Sequence, residues 1–311
     1  MRRWWSGQSQ QTVNLSPFGL RWFKSSPAHQ TSTFNSMIYN GKEASEQMKL
    51  TLRSNIASLG RSPILAIISA TDHPSIQSFI KIKRTYAEEI GVTILERHFD
   101  TSATQEMIKH HIRDLVQEKS CDGIIVQLPL PPSFNAQEIL DCIPSHVDVD
   151  VLTTHAYQKF EHEGSPLPTV VSAVAHILSD TKTDISSKNM VIVGRGKLVG
   201  APVCTWAQQQ RAHVTAIDKD TPADIRAELL KNADIIVAGS GSPHHITPED
   251  ISSDVVLIDA GTSEDAGVLS GDCDPLCATK ARIFTPVPGG VGPLTVSYLF
   301  QNVILSAQRK R

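Results

Sequence analysis

The chain has 311 residues, 40% of them hydrophobic and 20% charged, enough to bury a sizeable core and near the upper limit for one domain, so two domains are expected. Its net charge of −3 leaves no basic surplus to neutralise a phosphate backbone, and no apolar run approaches the roughly 20 residues needed to cross a bilayer, so neither nucleic acid nor a membrane is an expected partner. Five cysteines without paired CxxC motifs or metal-ligand spacing read as reduced, structural thiols, and no metal is expected.

From Met1 to Lys42 there is no Asp or Glu, while Arg2, Arg3, Arg21, Lys24 and Lys42 supply positive charge. Such a stretch fits an organellar transit peptide, or an upstream extension without function if Met37 is the working start. On either reading residues 1–36 are expected to be disordered and outside the fold. The location is cytoplasmic for the extension and mitochondrial for the transit peptide.

Ala44, Met48, Leu52 and Ile56 then recur every fourth residue among charges, an amphipathic helix ended by Gly60. The uninterrupted apolar run 64–68 reads as a parallel strand buried on both faces. A helix at 75–90, a strand at 92–95, a helix at 104–117 and a strand at 123–127 repeat the pattern. Pro129, Pro131 and Pro132 break it, and a short helix at 136–142 precedes a polar, His- and Asp-rich segment to Gly164 without a regular element. After a helix at 169–179 come strands at 190–193, 213–217, 233–237 and 255–259, with a helix at 199–210. A loop at 285–295 leads to a last helix at 296–306, expected to return to the first half. The alternation predicts an α/β protein of two α/β domains, the second Rossmann-like, with a cleft between them. The first domain is placed at 37–165, completed by the C-terminal helix at 296–308, and the second at 166–295.

Gly194, Gly196 and Gly200 lie between a strand and a helix, one residue longer than the usual dinucleotide fingerprint. Such glycines let the backbone approach a pyrophosphate at a helix N-terminus, and Asp218 ends the next strand, where a carboxylate accepts ribose hydroxyls. A tight turn alone would show the same glycines, but the strand before and the acid after favour dinucleotide binding. In the first half, Phe79 and Lys83 are four apart and share a helix face. Gln127 stands at the carboxyl end of a buried strand, the edge at which open α/β sheets bind ligands, and Asp150 follows the next helix. Singly these are a solvated charge, a loop hydrogen bonder and a helix cap; together, after successive strands, they form a candidate site.

Several of these segments resemble the bifunctional methylenetetrahydrofolate dehydrogenase/cyclohydrolase family over nearly all of residues 37–311. The most specific match is Thr285-Pro286-Val287-Pro288-Gly289-Gly290-Val291-Gly292-Pro293-Leu294-Thr295, similar to the family's TPVPGGVGPMT. Gly123 to Pro131 is similar to its G-x-x-VQLPLP strand end, and the Gly194 turn, Ile258 to Gly261 and Gly271-Asp272 follow in order. By that resemblance Lys83 matches the catalytic lysine, Gln127 the glutamine bonded to it, and Asp150 the carboxylate that holds the pterin. Phe79, Val126, Leu128, Pro288, Gly289 and Gly290 would complete the folate site. Gly194, Arg195, Gly196, Gly200, Asp218, Lys219, Gly261 and Thr262 would hold the dinucleotide.

Three departures stand out. Phe79 replaces the tyrosine of a Tyr-x-x-x-Lys pair, Val151 stands where glycine usually follows the aspartate, and Leu167-Pro168-Thr169-Val170 keeps only the threonine of a PCTP motif. These bear more on the cyclohydrolase step than on hydride transfer. The resemblance implies tetrahydrofolate derivatives as substrates, a homodimer, and a nicotinamide dinucleotide as cofactor. Arg195 and Lys219 against Asp218 leave a positive sum if all three face the ribose, which points to NADP, with NAD the alternative that Asp218 alone would select. The rival readings are another two-domain dehydrogenase of shikimate or amino-acid type, and a folate-binding protein without catalysis.

Overall fold

The structure, a computed structural model, describes residues 36–265 and 268–310. The expectation for residues 1–35 lies outside them. Ser36 already belongs to the fold, since its hydroxyl donates to the carbonyl of Ala281 at 2.8 Å.

The first strand, β1 (Met37–Ile38), leads into α1 (Gly41–Leu59). Asn40 caps this helix by accepting the Glu43 N–H at 3.2 Å, and Gly60 closes it in the left-handed conformation, so the helix ends where glycine permits. Next come β2 (Ile64–Ser69), α2 (Pro74–Ile90), β3 (Thr93–His98), α3 (Gln105–Gln117) and β4 (Gly123–Val126). The three strands form a parallel sheet in the order β3-β2-β4. The central strand is apolar from Ile64 to Ile68 because both its faces are covered. Strand β3 is an edge, mostly exposed, and runs past the expected 95 to His98.

After α4 (Ala136–Leu140), the segment read as irregular contains α5 (Thr154–Glu163). Thr153 accepts the Ala156 N–H, Gly164 closes the helix, and only Ala156 and Phe160 are buried. Two apolar positions four apart make too thin a stripe for periodicity to reveal, although both caps are legible. Helix α6 (Thr169–Asp180) then leads to β5 (Asn189–Val193), α7 (Gly200–Gln209), β6 (His213–Ile217), α8 (Ala223–Lys231), β7 (Ile235–Ala238) and β8 (Val256–Asp259). A hairpin of β9 (Ser263–Asp265) and β10 (Val268–Ser270) precedes β11 (Ile283–Thr285). Among the described residues the larger sheet is parallel, ordered β1-β11-β8-β7-β5-β6. Residues 37–38 therefore pair with the end of the chain and not with the sheet that follows them.

The last helix, α9 (Val291–Arg309), begins at Val291, within the segment expected to be a loop to 295. Pro293 sits in its first turn, where the missing N–H has no helical partner to lose. Val291 and Leu294 enter the core of the larger sheet, while Leu299, Phe300, Val303 and Ile304 enter that of the smaller one. Phe300 stacks on Tyr86 with ring centroids 5.2 Å apart. The buried Ser297 hydroxyl receives the Tyr86 phenol at 2.7 Å and meets that of Ser45 at 2.8 Å. Among the described residues no helix is long and apolar enough to cross a membrane.

Gly41 opens α1 directly against the turn that opens α9. A Cβ there would lie 1.8 Å from the carbonyl oxygen of Gly290, a backbone atom that cannot rotate away. Gly41→Ala is expected to destabilise the protein by about 1–3 kcal/mol through this overpacking. Urea denaturation checks it, and an unchanged midpoint would show that the junction yields.

Candidate active site

The smaller sheet delivers its candidate groups to one edge. The Gln127 N–H donates to the carbonyl of Ile68 at 2.8 Å, continuing the ladder just past β4 and presenting the side chain at the carboxyl end of the strands. Lys83 lies on α2, which follows β2, and its Nζ donates to Gln127 Oε1 at 2.6 Å. The Gln127 Nε2 donates to the carbonyl of Leu128 at 3.2 Å, so the amide is oriented with its oxygen toward the lysine. Asp150 ends a segment held beside β4 by the bond from the Ile124 N–H to the Val147 carbonyl, 2.9 Å. Its Oδ1 accepts the Thr169 hydroxyl at 2.6 Å. The structure thus brings Lys83, Gln127 and Asp150 together, with Thr169 added.

Desolvation dominates the electrostatics. Burial pushes the Lys83 ammonium below the ordinary lysine range, and the Asp150 charge only partly opposes this. Burial likewise raises Asp150, against the Thr169 hydrogen bond and the Lys83 charge and with the aid of Asp148. Each charged form is disfavoured by its surroundings, which keeps a neutral amine accessible beside a carboxyl group. Phe79 sits half-buried one turn before Lys83, Val126 is buried, and Leu128 is half-buried where its peptide to Pro129 is cis. Two open cavities of about 400 and 440 Å³ lie elsewhere and are lined by none of Lys83, Gln127 and Asp150.

The turn between β5 and α7 is built for close approach. A Cβ on Gly200 would lie 2.0 Å from the Gly194 carbonyl oxygen, which requires glycine, whereas Gly196 faces open space and leaves bare backbone. The N-terminus of α7 has no side-chain cap; its Ala201 N–H bonds the Gly196 carbonyl at 3.0 Å and Pro202 has no N–H, so close approach of a phosphate rests on the bare glycine backbone of the turn. The charges are paired differently from the expectation that three groups face one ribose. Arg195 Nε lies 2.9 Å from Asp218 Oδ2, and its Nη2 donates to the carbonyl of Ala216 at 2.7 Å. Lys219 is 89% exposed and nearest Asp220, at 3.7 Å. The local sum becomes two cations against two anions.

At the end of β8, Gly261 donates its N–H to Asp259 Oδ1 at 3.0 Å, and a Cβ on it would strike Asp272. Asp259, raised to about 6 chiefly by burial, also accepts the N–H groups of Asp272 and Cys273. Asp272 accepts the N–H and hydroxyl of Ser240, tying the loop after β7 to that after β10. Thr262 is exposed beside them. In the turn before α9, the peptide between Val287 and Pro288 is cis, Gly289 is left-handed at φ 113°, and Gly290 donates to the Pro286 carbonyl at 2.7 Å.

The sequence assigns no role to Asp148 or Lys197, and marks Thr169 only as the threonine kept of the PCTP motif. Thr169 and Asp150 are 19 residues apart, and no local pattern links them. Lys197, in the glycine turn, donates to Gln137 and, at 2.9 Å, to the carbonyl of Leu152, joining the turn to the Asp150 segment. Among the described residues no cluster of three or more His, Cys, Asp or Glu is arranged to hold a metal.

Two family profiles cover most of the chain. Residues 39–150 match the catalytic domain of tetrahydrofolate dehydrogenase/cyclohydrolase, and residues 168–311 match its NAD(P)-binding domain. The bifunctional protein FolD 2 of Lactobacillus johnsonii is 31% identical over 88% of this chain and 98% of its own, and FolD of Bacillus licheniformis is 34% identical over 88% and 97%. Among solved structures, the Trypanosoma brucei methylenetetrahydrofolate dehydrogenase-cyclohydrolase, complexed with NADP and an inhibitor, superposes with a TM-score of 0.84. It is 29% identical, covering 88% of this chain and 98% of that one. Matched by both profiles, and similar to these relatives from end to end of their own length, the chain belongs to the tetrahydrofolate dehydrogenase/cyclohydrolase family.

Proposed function

We propose that this protein oxidises 5,10-methylenetetrahydrofolate to 5,10-methenyltetrahydrofolate with NADP and hydrolyses that product to 10-formyltetrahydrofolate. The observation that carries the reading is the desolvated Lys83, hydrogen-bonded to Gln127 beside the Asp150–Thr169 pair. Residues 39–165 with 296–308 would form the folate part and 166–295, joined by the strand at 37–38, the cofactor part, a division supported by the break between the two family profiles at 150–168. A homodimer in the cytoplasm completes the proposal, with the mitochondrion the alternative if residues 1–36 are a transit peptide.

The turn fits a dinucleotide: its backbone is bare at Gly196, it is close-packed at Gly200, and the end of α7 has no side-chain cap. Bound there, NADP supplies the acceptor for a hydride. Gly194, Gly196 and Gly200 would admit the pyrophosphate, Arg195, Asp218 and Lys219 would meet the ribose, and Gly261 and Thr262 would line the approach to the substrate. Asp150 would hold the pterin, while Phe79, Val126, Leu128, Pro288, Gly289 and Gly290 would wall the folate. Loss of hydride from the substrate's methylene carbon leaves a methenyl cation. Water adds to that carbon and neutral Lys83 takes its proton with Gln127 orienting the amine; the C–N5 bond of the resulting carbinolamine then breaks, N5 taking a proton as the carbinol hydroxyl loses one, which leaves the formyl group on N10. Hydride transfer needs mainly alignment of the two ligands, so it is less sensitive to the missing phenol of Phe79. That missing hydroxyl favours a second reading, a dehydrogenase with weakened cyclohydrolase.

Lys83→Met is expected to lower methenyl hydrolysis by at least about 100-fold in a folded protein, the usual scale for a general base. In the wild type the base is the neutral amine. Hydrolysis should therefore fall as pH drops through the Lys83 pKa, with a midpoint below the ordinary lysine range. Normal hydrolysis by Lys83→Met, or a flat profile, would remove the mechanism.

Asp150→Ala should raise the folate KM far more than that of the dinucleotide, because a carboxylate facing the pterin lies on the other sheet from the glycine turn. Equal effects would point to a structural role.

For the cofactor, Arg195 must exchange Asp218 for a ribose phosphate. Asp218→Ser is expected to strengthen the preference for NADP, and Lys219→Ala to weaken it less than Arg195→Ala does. Catalytic efficiencies with both cofactors decide: a wild type that strongly prefers NAD would show that Asp218 governs the site.

A further inference from the structure

The carboxylate of Asp148 is 6% exposed and gathers four backbone N–H groups. Its Oδ1 accepts from Asp150 at 3.3 Å, Val151 at 2.9 Å and Leu152 at 3.4 Å, and its Oδ2 accepts from Thr153 at 2.9 Å. One buried anion thus binds every N–H of residues 150–153, a strong local constraint because charge-assisted bonds to backbone donors exceed neutral ones. The chain between these bonds takes an unusual course. Val151 has φ 60°, in the left-handed region that β-branched side chains rarely enter. It is also 1% exposed, packed in the core with Val170.

The base of this loop is fixed from outside. Asn302 and Ser306 of α9 donate to the carbonyls of Val149 and His146 at 2.9 and 2.7 Å. Anchored there and reversed at Val151, the loop directs the Asp150 carboxylate to Thr169 and the Leu152 carbonyl to Lys197 of the glycine turn. Without the anion, four donors would compete for other acceptors and Val151 would have no reason to remain left-handed.

We propose that Asp148 is a positioning residue for the folate site: by capping residues 150–153 it holds Val151 in the left-handed turn that aims Asp150. The proposal rests on Asp150 facing the substrate as set out above. It assigns the precision of that contact to a neighbouring side chain that does not touch folate. Asparagine at 148 keeps one acceptor but turns an amide toward donors, leaving at least one N–H opposed. Glycine at 151 adopts the turn without a Cβ penalty and so removes the need for the anion.

The test measures folate and dinucleotide KM values and thermal midpoints for Asp148→Asn, Val151→Gly, Val151→Ala and the double variant Asp148→Asn/Val151→Gly, with Asp150→Ala alongside. Asp148→Asn is expected to raise the folate KM by about tenfold and the dinucleotide KM by less than about twofold, the signature of a lost binding geometry on one side only. The double variant should recover most of that loss, and Val151→Gly should melt above Val151→Ala, since only glycine is at ease in the turn. An unchanged folate KM in a folded Asp148→Asn protein, or a double variant no better than Asp148→Asn, overturns the proposal. If Asp148→Asn does not fold, the order of the two Val151 variants decides, and alanine melting at or above glycine overturns it. Should Asp150→Ala itself leave the folate KM unchanged, the functional reading of Asp150 fails first; a strong Asp150→Ala effect beside a silent Asp148→Asn sinks this inference alone.

Discussion

A half-buried lysine without a direct ion pair is the constraint on which the site depends. Lys83 gives its hydrogen bond to a neutral amide, and the nearest carboxylate, Asp150, is engaged by Thr169. A direct bond to the carboxylate would stabilise the ammonium and raise the lysine pKa; the amide stabilises it far less. The arrangement holds only if Gln127 cannot turn and Asp150 cannot swing. The first is fixed by the Leu128 carbonyl and the second by Thr169 and by the backbone on which Asp150 is carried.

That backbone depends on the far end of the chain. Helix α9 supplies Phe300, Val303 and Ile304 to the core of the smaller sheet and Val291 and Leu294 to that of the larger one. Its Asn302 also fixes the carbonyl of Val149, next to Asp150. Strand β1 joins the sheet formed by later residues, so the chain passes between the two sheets at both ends. The geometry around Asp150 is therefore not a local property of the segment that carries it. The turn of Gly289 and Gly290, which carries the most specific family motif, packs its backbone against the first residue of α1.

The cofactor side follows another physical rule. Its charges satisfy one another in the structure, Arg195 with Asp218 and Lys219 near Asp220, so under the proposed function recognition of a phosphate would mean exchanging partners and not filling a positive hole. Exposed pairs of this kind are worth little, so the exchange is inexpensive. The buried acids Asp259 and Asp272 behave differently: their hydrogen bonds are to backbone and hydroxyl groups, and they brace the loops that end β7 and β8.

The α/β class, most elements, the glycine turn and the family were legible in the sequence, because each is written in local patterns: period, caps, glycine spacing and contiguous motifs. Even the association of Lys83, Gln127 and Asp150 followed from the rule that open sheets bind at their strand ends. Helix α5 escaped because only Ala156 and Phe160 mark its buried face. Helix α9 was begun too late because Pro293 and Gly292 look like breakers until they are placed in a first turn. What only the tertiary structure decided are the pairings across long separations: Met37 with Ile283, Asp150 with Thr169, Lys197 with Leu152, and Arg195 with Asp218. A side chain's local sequence states what it can bond to. Which donor reaches it, and whether water is excluded when it does, depends on how the sheets and the last helix pack.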